Sequence, residues 1–253
     1  MLCHNPDQHI DKTKMSDDGA IRVVLMGKTG AGKSSLGNTL LGEDTFEVYN
    51  GMTSGTEFSE VKGAERFGRF IQVIDTPGLC DTHHSEDNIV NIVVKGIFDV
   101  YPGPHIILLV LRCDVRFTEE EHGAYKKLIQ IFGAGIYHHM IVVFNGADTY
   151  GNTPAEQKQA LDDELKKSSA RMKIVLHEVR HRYYGVSNTA SRSNRDKHAA
   201  ELLNMMEELI ATNDGAHFGH QESGSSDNND SSNNNDSSDN DSSDSSDRCD
   251  NYE

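Results

Sequence analysis

The sequence predicts an α/β protein of three layers, with a mostly parallel central sheet covered by helices on both faces. Three observations lead to this prediction. Short apolar runs alternate with longer segments of helical periodicity, as in repeated β–α units. A glycine-rich octet at 27–34 stands between the first strand and the first helix. Polar turn motifs follow several of the later strands, where parallel sheets bind their ligands.

The elements follow one another in a regular order along the chain. Each predicted strand is a short run dominated by apolar or β-branched residues, and the five strands are 21–26, 70–74, 106–111, 140–144 and 182–186. The predicted helices have apolar residues at helical spacing and span 35–42, 85–100, 118–132, 154–179 with a break near Ser168, and 197–212. We expect the polar stretch 43–62 to be a loop that orders around a ligand.

Charge and composition divide the chain into three parts. The net charge is -16, and residues 221–253 carry -9 of it, with ten acidic residues and one arginine. We therefore expect a disordered leader at 1–19, one folded domain at 20–220 and a disordered acidic tail rich in Ser, Asp and Asn at 221–253. The folded part has no basic stripe, which argues against nucleic acid as a partner.

The cysteine pattern and the hydropathy of the sequence predict the cellular compartment of the protein. The four cysteines are scattered without a C-x-x-C pair or metal-ligand spacing, as in proteins of a reducing environment. We see no signal sequence and no intrinsic transmembrane segment. The expectation is a cytoplasmic protein that reaches organelle membranes only through partners.

The octet has the pattern G-x-x-x-x-G-K-S, which in a strand–loop–helix setting is a phosphate-binding P-loop. Glycines let successive N–H groups turn toward phosphate oxygens, and the positive end of the following helix favours that charge. Lys33 is expected to reach the β- and γ-phosphates, and the Ser34 hydroxyl to bind Mg²⁺. The expected phosphate-binding residues are Gly27, Lys28, Thr29, Gly30, Ala31, Gly32, Lys33, Ser34 and Ser35.

The second strand ends in a D-x-P-G motif. Asp75 is placed where a carboxylate can hold Mg²⁺ opposite Ser34. Gly78 follows, and we expect its N–H to meet the γ-phosphate. Loss of that phosphate would release residues 79–88, so this segment is predicted to be a switch loop.

The nucleotide base is predicted from Asn145-x-x-Asp148, which follows the fourth strand. A carboxylate can accept two hydrogen bonds from guanine N1–H and its exocyclic amine, whereas adenine offers no such pair of donors. Asn145 is expected to tie this loop to its neighbours. Asn145 and Asp148 argue against an ATP-using P-loop kinase, a further class of protein that preferential ATP binding would favour.

With these motifs assembled, the chain resembles the GIMAP (immunity-associated) GTPases of the septin-like and chloroplast-import-receptor branch. The most specific segments are 103–111, 116–121 and 75–82, and the resemblance covers 21–218. It implies a P-loop GTPase domain that binds GTP or GDP with Mg²⁺. It also implies a GTP-dependent homo- or hetero-dimer or oligomer within the same family, with a role in immune regulation.

The resemblance also assigns individual residues by position. Thr56 matches the switch threonine that completes Mg²⁺ coordination, with Thr53 as the rival, and Asn188 is expected to contact the guanine. Gly146 stands where the guanine loop commonly carries a basic residue, which implies some loss of affinity.

Hydrolysis is expected to be slow. In Ras-like enzymes a glutamine after the D-x-x-G motif orients the attacking water, and this position is Leu79. Arg116, by resemblance, is a candidate arginine donated across a dimer, and the alternative is a surface arginine beside an acidic helix start. Two hypotheses therefore stand: a slow GTPase activated by dimerisation, with Lys33, Thr56 and Arg116 as its catalytic residues, and a GTP-gated scaffold with negligible hydrolysis.

Overall fold

The structure is a computed structural model that describes residues 19–48, 59–79, 94, 97 and 102–219. The described strands are β1 (Ile21–Met26), β2 (Glu60–Arg66), β3 (Arg69–Asp75), β4 (Ile106–Arg112), β5 (Met140–Asn145) and β6 (Tyr183–Val186). The described α-helices are α1 (Lys33–Leu41), α2 (Glu119–Phe132), α3 (Pro154–Lys166), α4 (Ala170–Glu178) and α5 (Arg192–Thr212). Short 3₁₀ helices flank β5 at Ala134–His139 and Ala147–Tyr150.

The six strands form one sheet in the order β2-β3-β1-β4-β5-β6. All neighbouring pairs are parallel except β2 with β3, which form an antiparallel hairpin. The predicted mostly parallel sheet is therefore confirmed. Its parallel strands end at one edge, and that edge carries the residues that follow β1, β3, β5 and β6.

Helices cover both faces of the sheet. Successive residues of a strand therefore pack alternately into two apolar cores, one on each face. On β1, Val24 and Met26 belong to one apolar cluster, which includes residues of α2, α3 and α4. Val23 and Leu25 belong to the other, which includes residues of α1 and α5. β1, β4 and β5 are almost entirely buried, as expected for strands covered on two sides.

Three predicted boundaries need correction. The stretch 43–62 contains the start of β2, where the sequence predicts a loop. α5 begins at Arg192, five residues before the predicted start. The prediction placed the start too late because the first turn of this helix is polar and shows no apolar periodicity. α1 likewise begins at Lys33, inside the glycine-rich octet. The predicted break near Ser168 is confirmed, since α3 ends at Lys166 and α4 is capped by the Ser169 side chain.

Several predictions fall outside the described residues. They concern the leader, the acidic tail, Thr53, Thr56 and most of the predicted helix 85–100. Val94 and Ile97 of that segment are described as helical. None of the described helices is long and apolar enough to cross a membrane.

Candidate functional site

The glycine-rich octet forms a tight turn between β1 and α1. Gly30 and Gly32 have φ values of 77° and 93°, a left-handed conformation that favours glycine. Gly32 is the N-cap of α1, and no side chain caps this helix end. The first N–H groups of α1 are therefore available to an anion, where the helix dipole also favours negative charge.

Lys33 lies within this turn rather than in solvent. Only 7% of the residue is exposed, and its Nζ donates to the carbonyl oxygens of Gly27 at 3.1 Å and Lys28 at 3.2 Å. These bonds hold the ammonium group against the phosphate-binding turn. An incoming phosphate would therefore gain a strong, charge-assisted partner there.

The end of β3 brings a hydroxyl and a carboxylate together. The Ser34 hydroxyl donates to Asp75 Oδ2 at 2.5 Å. Oxygen ligands of this kind, one neutral and one charged, suit Mg²⁺. These two predicted metal ligands therefore lie side by side, although Asp75 follows Ser34 by 41 residues. The pair fits a magnesium ion.

The D-x-P-G segment packs directly on the P-loop. Leu79 N–H donates to Gly27 O at 3.0 Å, and a Cβ on Gly78 would lie 1.9 Å from Thr29 Oγ1. Only glycine permits this approach. The Leu79 side chain packs against the apolar core on one side of the sheet, so it offers no group that could orient water.

The N-x-x-D loop is anchored to the P-loop by its first residue. Asn145 Nδ2 donates to Ala31 O at 3.0 Å, and its Oδ1 accepts from Asn188 Nδ2 at 3.0 Å. Gly32 must lack a side chain here, because a Cβ would lie 1.9 Å from Asn145 Nδ2. The expected connection of Asn145 to neighbouring loops is therefore present.

Asp148 lies beside the turn after β6. It is exposed, and its Oδ2 accepts a hydrogen bond from Thr189 Oγ1 at 3.2 Å. Ser187, in the same turn, is fully buried, and its hydroxyl has no hydrogen-bond partner among the described residues. Asp148 thus offers its exposed carboxylate to a ligand.

A cleft of about 850 Å³ borders residues 28–31 of the P-loop. Lys28 and Thr29 form part of its wall, and Arg112, Cys113 and Arg116 form another part. Burial raises the pKa of the Cys113 thiol to about 12, so this thiol is neutral near pH 7 and is no nucleophile. Arg116 is exposed at the cleft.

Arg116 has no ion pair within the described part of the chain, although an acidic helix start follows it. Glu119 pairs with Arg171 at 3.1 Å, and Glu120 lies 4.0 Å from Lys28 Nζ. Glu121 closes the predicted capping box with Thr118. The three glutamates thus bind other groups, which leaves Arg116 available to an external partner.

Two further residues at this edge, Thr39 and Thr189, are not among those predicted from the sequence. Thr39 donates from Oγ1 to Asn188 Oδ1 at 2.9 Å, and Thr189 donates to Asp148. Thr189 directly follows Asn188 in a predicted site turn, so its position was a usable signal. Thr39 gave no signal, because it lies within a helix and contacts a residue 149 positions away.

The sheet order, the P-loop and the placement of the motifs define a protein of the P-loop GTPase fold class. The model of the AIG1 family matches residues 21–237, so the chain belongs to the AIG1 family. This confirms the resemblance found in the sequence.

Curated relatives from Arabidopsis thaliana include the immune-associated nucleotide-binding proteins. Protein 10 is 42% identical over 145 residues, which are 57% of this chain and 30% of that relative. Protein 7 is 31% identical over 197 residues, which are 77% of this chain and 62% of that relative. The chain therefore spans less than two thirds of either relative.

Solved structures share the fold. The Arabidopsis thaliana Toc33 crystal structure in complex with GDP and Mg²⁺ matches with a TM-score of 0.59 at 24% identity, covering 82% of this chain and 91% of that chain. Aquifex aeolicus Era bound to GDP and aluminium fluoride matches with a TM-score of 0.56 at 19% identity, covering 76% and 57%. At these identities the similarity shows the fold alone.

Proposed function

We propose that the chain is a guanine-nucleotide-binding protein that acts as a GTP-dependent dimer or oligomer switch and hydrolyses GTP slowly to GDP and phosphate. Its setting would be immune regulation, in the cytoplasm or at organelle membranes reached through partners. The folded unit would be 20–220, preceded by the leader and followed by the acidic tail.

One observation carries the proposal: the hydrogen bond from Asn145 Nδ2 to Ala31 O at 3.0 Å. It fixes the N-x-x-D loop against the phosphate-binding loop. A single ligand with a phosphate chain at one end and a base at the other can then contact both loops. Asp148 would accept from guanine N1–H and the exocyclic amine, which adenine cannot supply.

The remaining site residues would act on the phosphates. Residues 27–35 would surround the α- and β-phosphates with N–H groups, and Lys33 would turn from its carbonyl partners to the β- and γ-phosphates. Ser34 and Asp75 would hold Mg²⁺, completed by Thr56 from the 49–58 segment. Bound Mg²⁺ neutralises charge that develops on the phosphate oxygens.

Arg116 is proposed to act across a dimer. It is exposed, and its acidic neighbours contact other groups, so it can enter a partner's site without breaking an ion pair described here. Among proteins whose structures share this fold, dimerization is important for the GTPase activity of the chloroplast translocon components atToc33 and psToc159. An arginine supplied in trans contributes about 10³- to 10⁵-fold in kcat.

A GTP-gated scaffold is the second candidate, and the packing of Leu79 favours it. This side chain contacts the apolar core at the position where Ras-like enzymes orient water. A chain without water-orienting groups would bind GTP, assemble and release almost no phosphate.

Base preference tests the guanine assignment. The affinities of GTP and ATP are measured by displacement of a fluorescent guanine nucleotide from the parent chain and from Asp148→Asn. Asp163→Asn, which changes a surface carboxylate of α3, is the control. We expect the parent to prefer GTP, and Asp148→Asn to lose about 100-fold in GTP affinity, since two charge-assisted bonds are replaced. The same variant should gain affinity for xanthosine triphosphate, whose C2 carbonyl accepts from an amide. Equal binding of GTP and ATP by the parent would refute the assignment.

A further inference from the structure

A chain of hydrogen bonds crosses the site from α1 to the P-loop. Thr39 Oγ1 donates to Asn188 Oδ1 at 2.9 Å, and Asn188 Nδ2 donates to Asn145 Oδ1 at 3.0 Å. Asn145 Nδ2 then donates to Ala31 O at 3.0 Å. The three bonds connect α1, the turn after β6, the last residue of β5 and the phosphate-binding loop.

The direction of these hydrogen bonds is fixed by the last acceptor, the carbonyl oxygen of Ala31. The carbonyl oxygen of Ala31 can only accept, so the Asn145 amide must present its NH₂ group there and its oxygen to Asn188. Asn188 must then donate to Asn145 with its own NH₂ group. Its oxygen therefore faces Thr39 and accepts the hydrogen bond of that hydroxyl.

Thr39 is an unusual residue for its place in α1. A threonine inside a helix commonly bonds to the carbonyl one turn back in its own helix. Here its hydroxyl contacts a residue 149 positions away instead, and only 2% of Thr39 is exposed. Water therefore has little access to replace this donor, which makes the bond costly to remove.

We propose that Thr39 is a positioning residue for the guanine nucleotide, and that it acts through Asn188, which holds Asn145. The Asn188 amide accepts one hydrogen bond from Thr39 and donates one to Asn145, so it connects the two residues. By holding Asn188, Thr39 supports the start of the N-x-x-D loop beside the phosphate-binding loop. This inference rests on the proposed guanine-nucleotide function.

A bound nucleotide would make two kinds of contact, one through its phosphates and one through its base. The phosphates are bound by residues 27–35, which keep their backbone turn without Thr39. The base depends on the loop that Thr39 supports. Loss of the hydroxyl should therefore weaken guanine nucleotides and leave the weak affinity for ATP, which uses the P-loop alone, unchanged.

The test compares Thr39→Val, which keeps the shape and removes the hydroxyl, with Thr39→Ser, which keeps the hydroxyl. The dissociation constants of GDP, GTP and ATP are measured by displacement of a fluorescent guanine nucleotide, together with the melting temperature of the nucleotide-free protein. We expect Thr39→Val to raise the constants of GDP and GTP about three- to tenfold and to leave that of ATP unchanged. Thr39→Ser should stay within about twofold of the parent.

A double variant with Asn188→Ala completes the test. Truncation of Asn188 already breaks the series of hydrogen bonds. Adding Thr39→Val should therefore cause no further loss of affinity for guanine nucleotides. Two outcomes overturn the inference: parent-like GDP binding by Thr39→Val, or additive losses in the double variant. An equal loss for ATP and GTP assigns Thr39 a purely structural role and overturns it as well. A parent chain without guanine preference instead refutes the proposed function, on which the inference depends.

Discussion

The close approach between the D-x-P-G segment and the P-loop gives a sharp prediction. A methyl group on Gly78 would lie 1.9 Å from Thr29 Oγ1 and 2.4 Å from the backbone N of Thr29. Backbone atoms cannot move aside as a flexible side chain can, so Gly78→Ala must displace the segment. Gly78 has no positive φ, so the added strain comes from the contact and not from the backbone conformation.

We expect Gly78→Ala to lose the hydrogen bond between the Gly78 N–H and the γ-phosphate. A hydrogen bond to a charged group contributes about 1.5–3 kcal/mol, which corresponds to about 10- to 150-fold in the dissociation constant. GDP lacks the γ-phosphate, so its affinity should change by less than about twofold. The variant should therefore lose the preference for GTP over GDP.

Isothermal titration with GDP and with a non-hydrolysable GTP analogue measures this difference. Gly123→Ala is the matched control, since Gly123 lies in α2 and a methyl group there meets nothing within 4 Å. A GTP-analogue affinity that is unchanged in Gly78→Ala would refute the role of this segment. So would an equal loss for both nucleotides, because the effect would then come from the P-loop as a whole.

Two further predictions concern the metal and pH. Ser34→Ala removes one of the two proposed Mg²⁺ ligands and should raise the Mg²⁺ concentration for half-maximal GTP binding by about ten- to a hundredfold; a magnesium titration of nucleotide binding measures this, and an unchanged midpoint would contradict the ligand assignment. Burial lowers the pKa of His139 and His198, so below pH 6.5 the unfolded state binds protons that the folded state does not. The free energy of unfolding should fall between pH 7 and pH 5, by at most about 1.4 kcal/mol per pH unit for each histidine. The free energy of unfolding, measured by urea unfolding at several pH values, should depend less steeply on pH in His139→Gln than in the parent. An identical pH dependence would count against this cause.

The sequence predicted the parallel strands because their burial on two faces leaves continuous apolar runs. β2 escaped prediction for the opposite reason. It is an edge strand, and Glu60, Lys62, Glu65 and Arg66 interrupt its apolar pattern. Its hairpin turn also lacks the usual asparagine or aspartate, since Phe67 occupies the first turn position with a φ of 52°.

The site was predictable where local turn chemistry specifies it. The glycine octet, Asp75 and Asn145 each lie at the end of a strand, so their shared edge followed from topology. The support for these groups was not predictable, because it comes from contacts over long sequence separations. Thr39 meets Asn188 only after the whole sheet is assembled, and a single sequence contains no sign of that pairing.

The dimer-activated switch is tested most directly by phosphate release from GTP at increasing protein concentration. Arg116→Ala is measured beside the parent, with Arg112→Ala as a control, since Arg112 lines the same cleft but pairs with Asp114 at 2.6 Å. We expect specific activity to rise with concentration in the parent and in the control, and to be lost in Arg116→Ala while GTP affinity is retained. Turnover that stays flat and near zero while GTP still binds would contradict the dimer-activated GTPase and favour the GTP-gated scaffold.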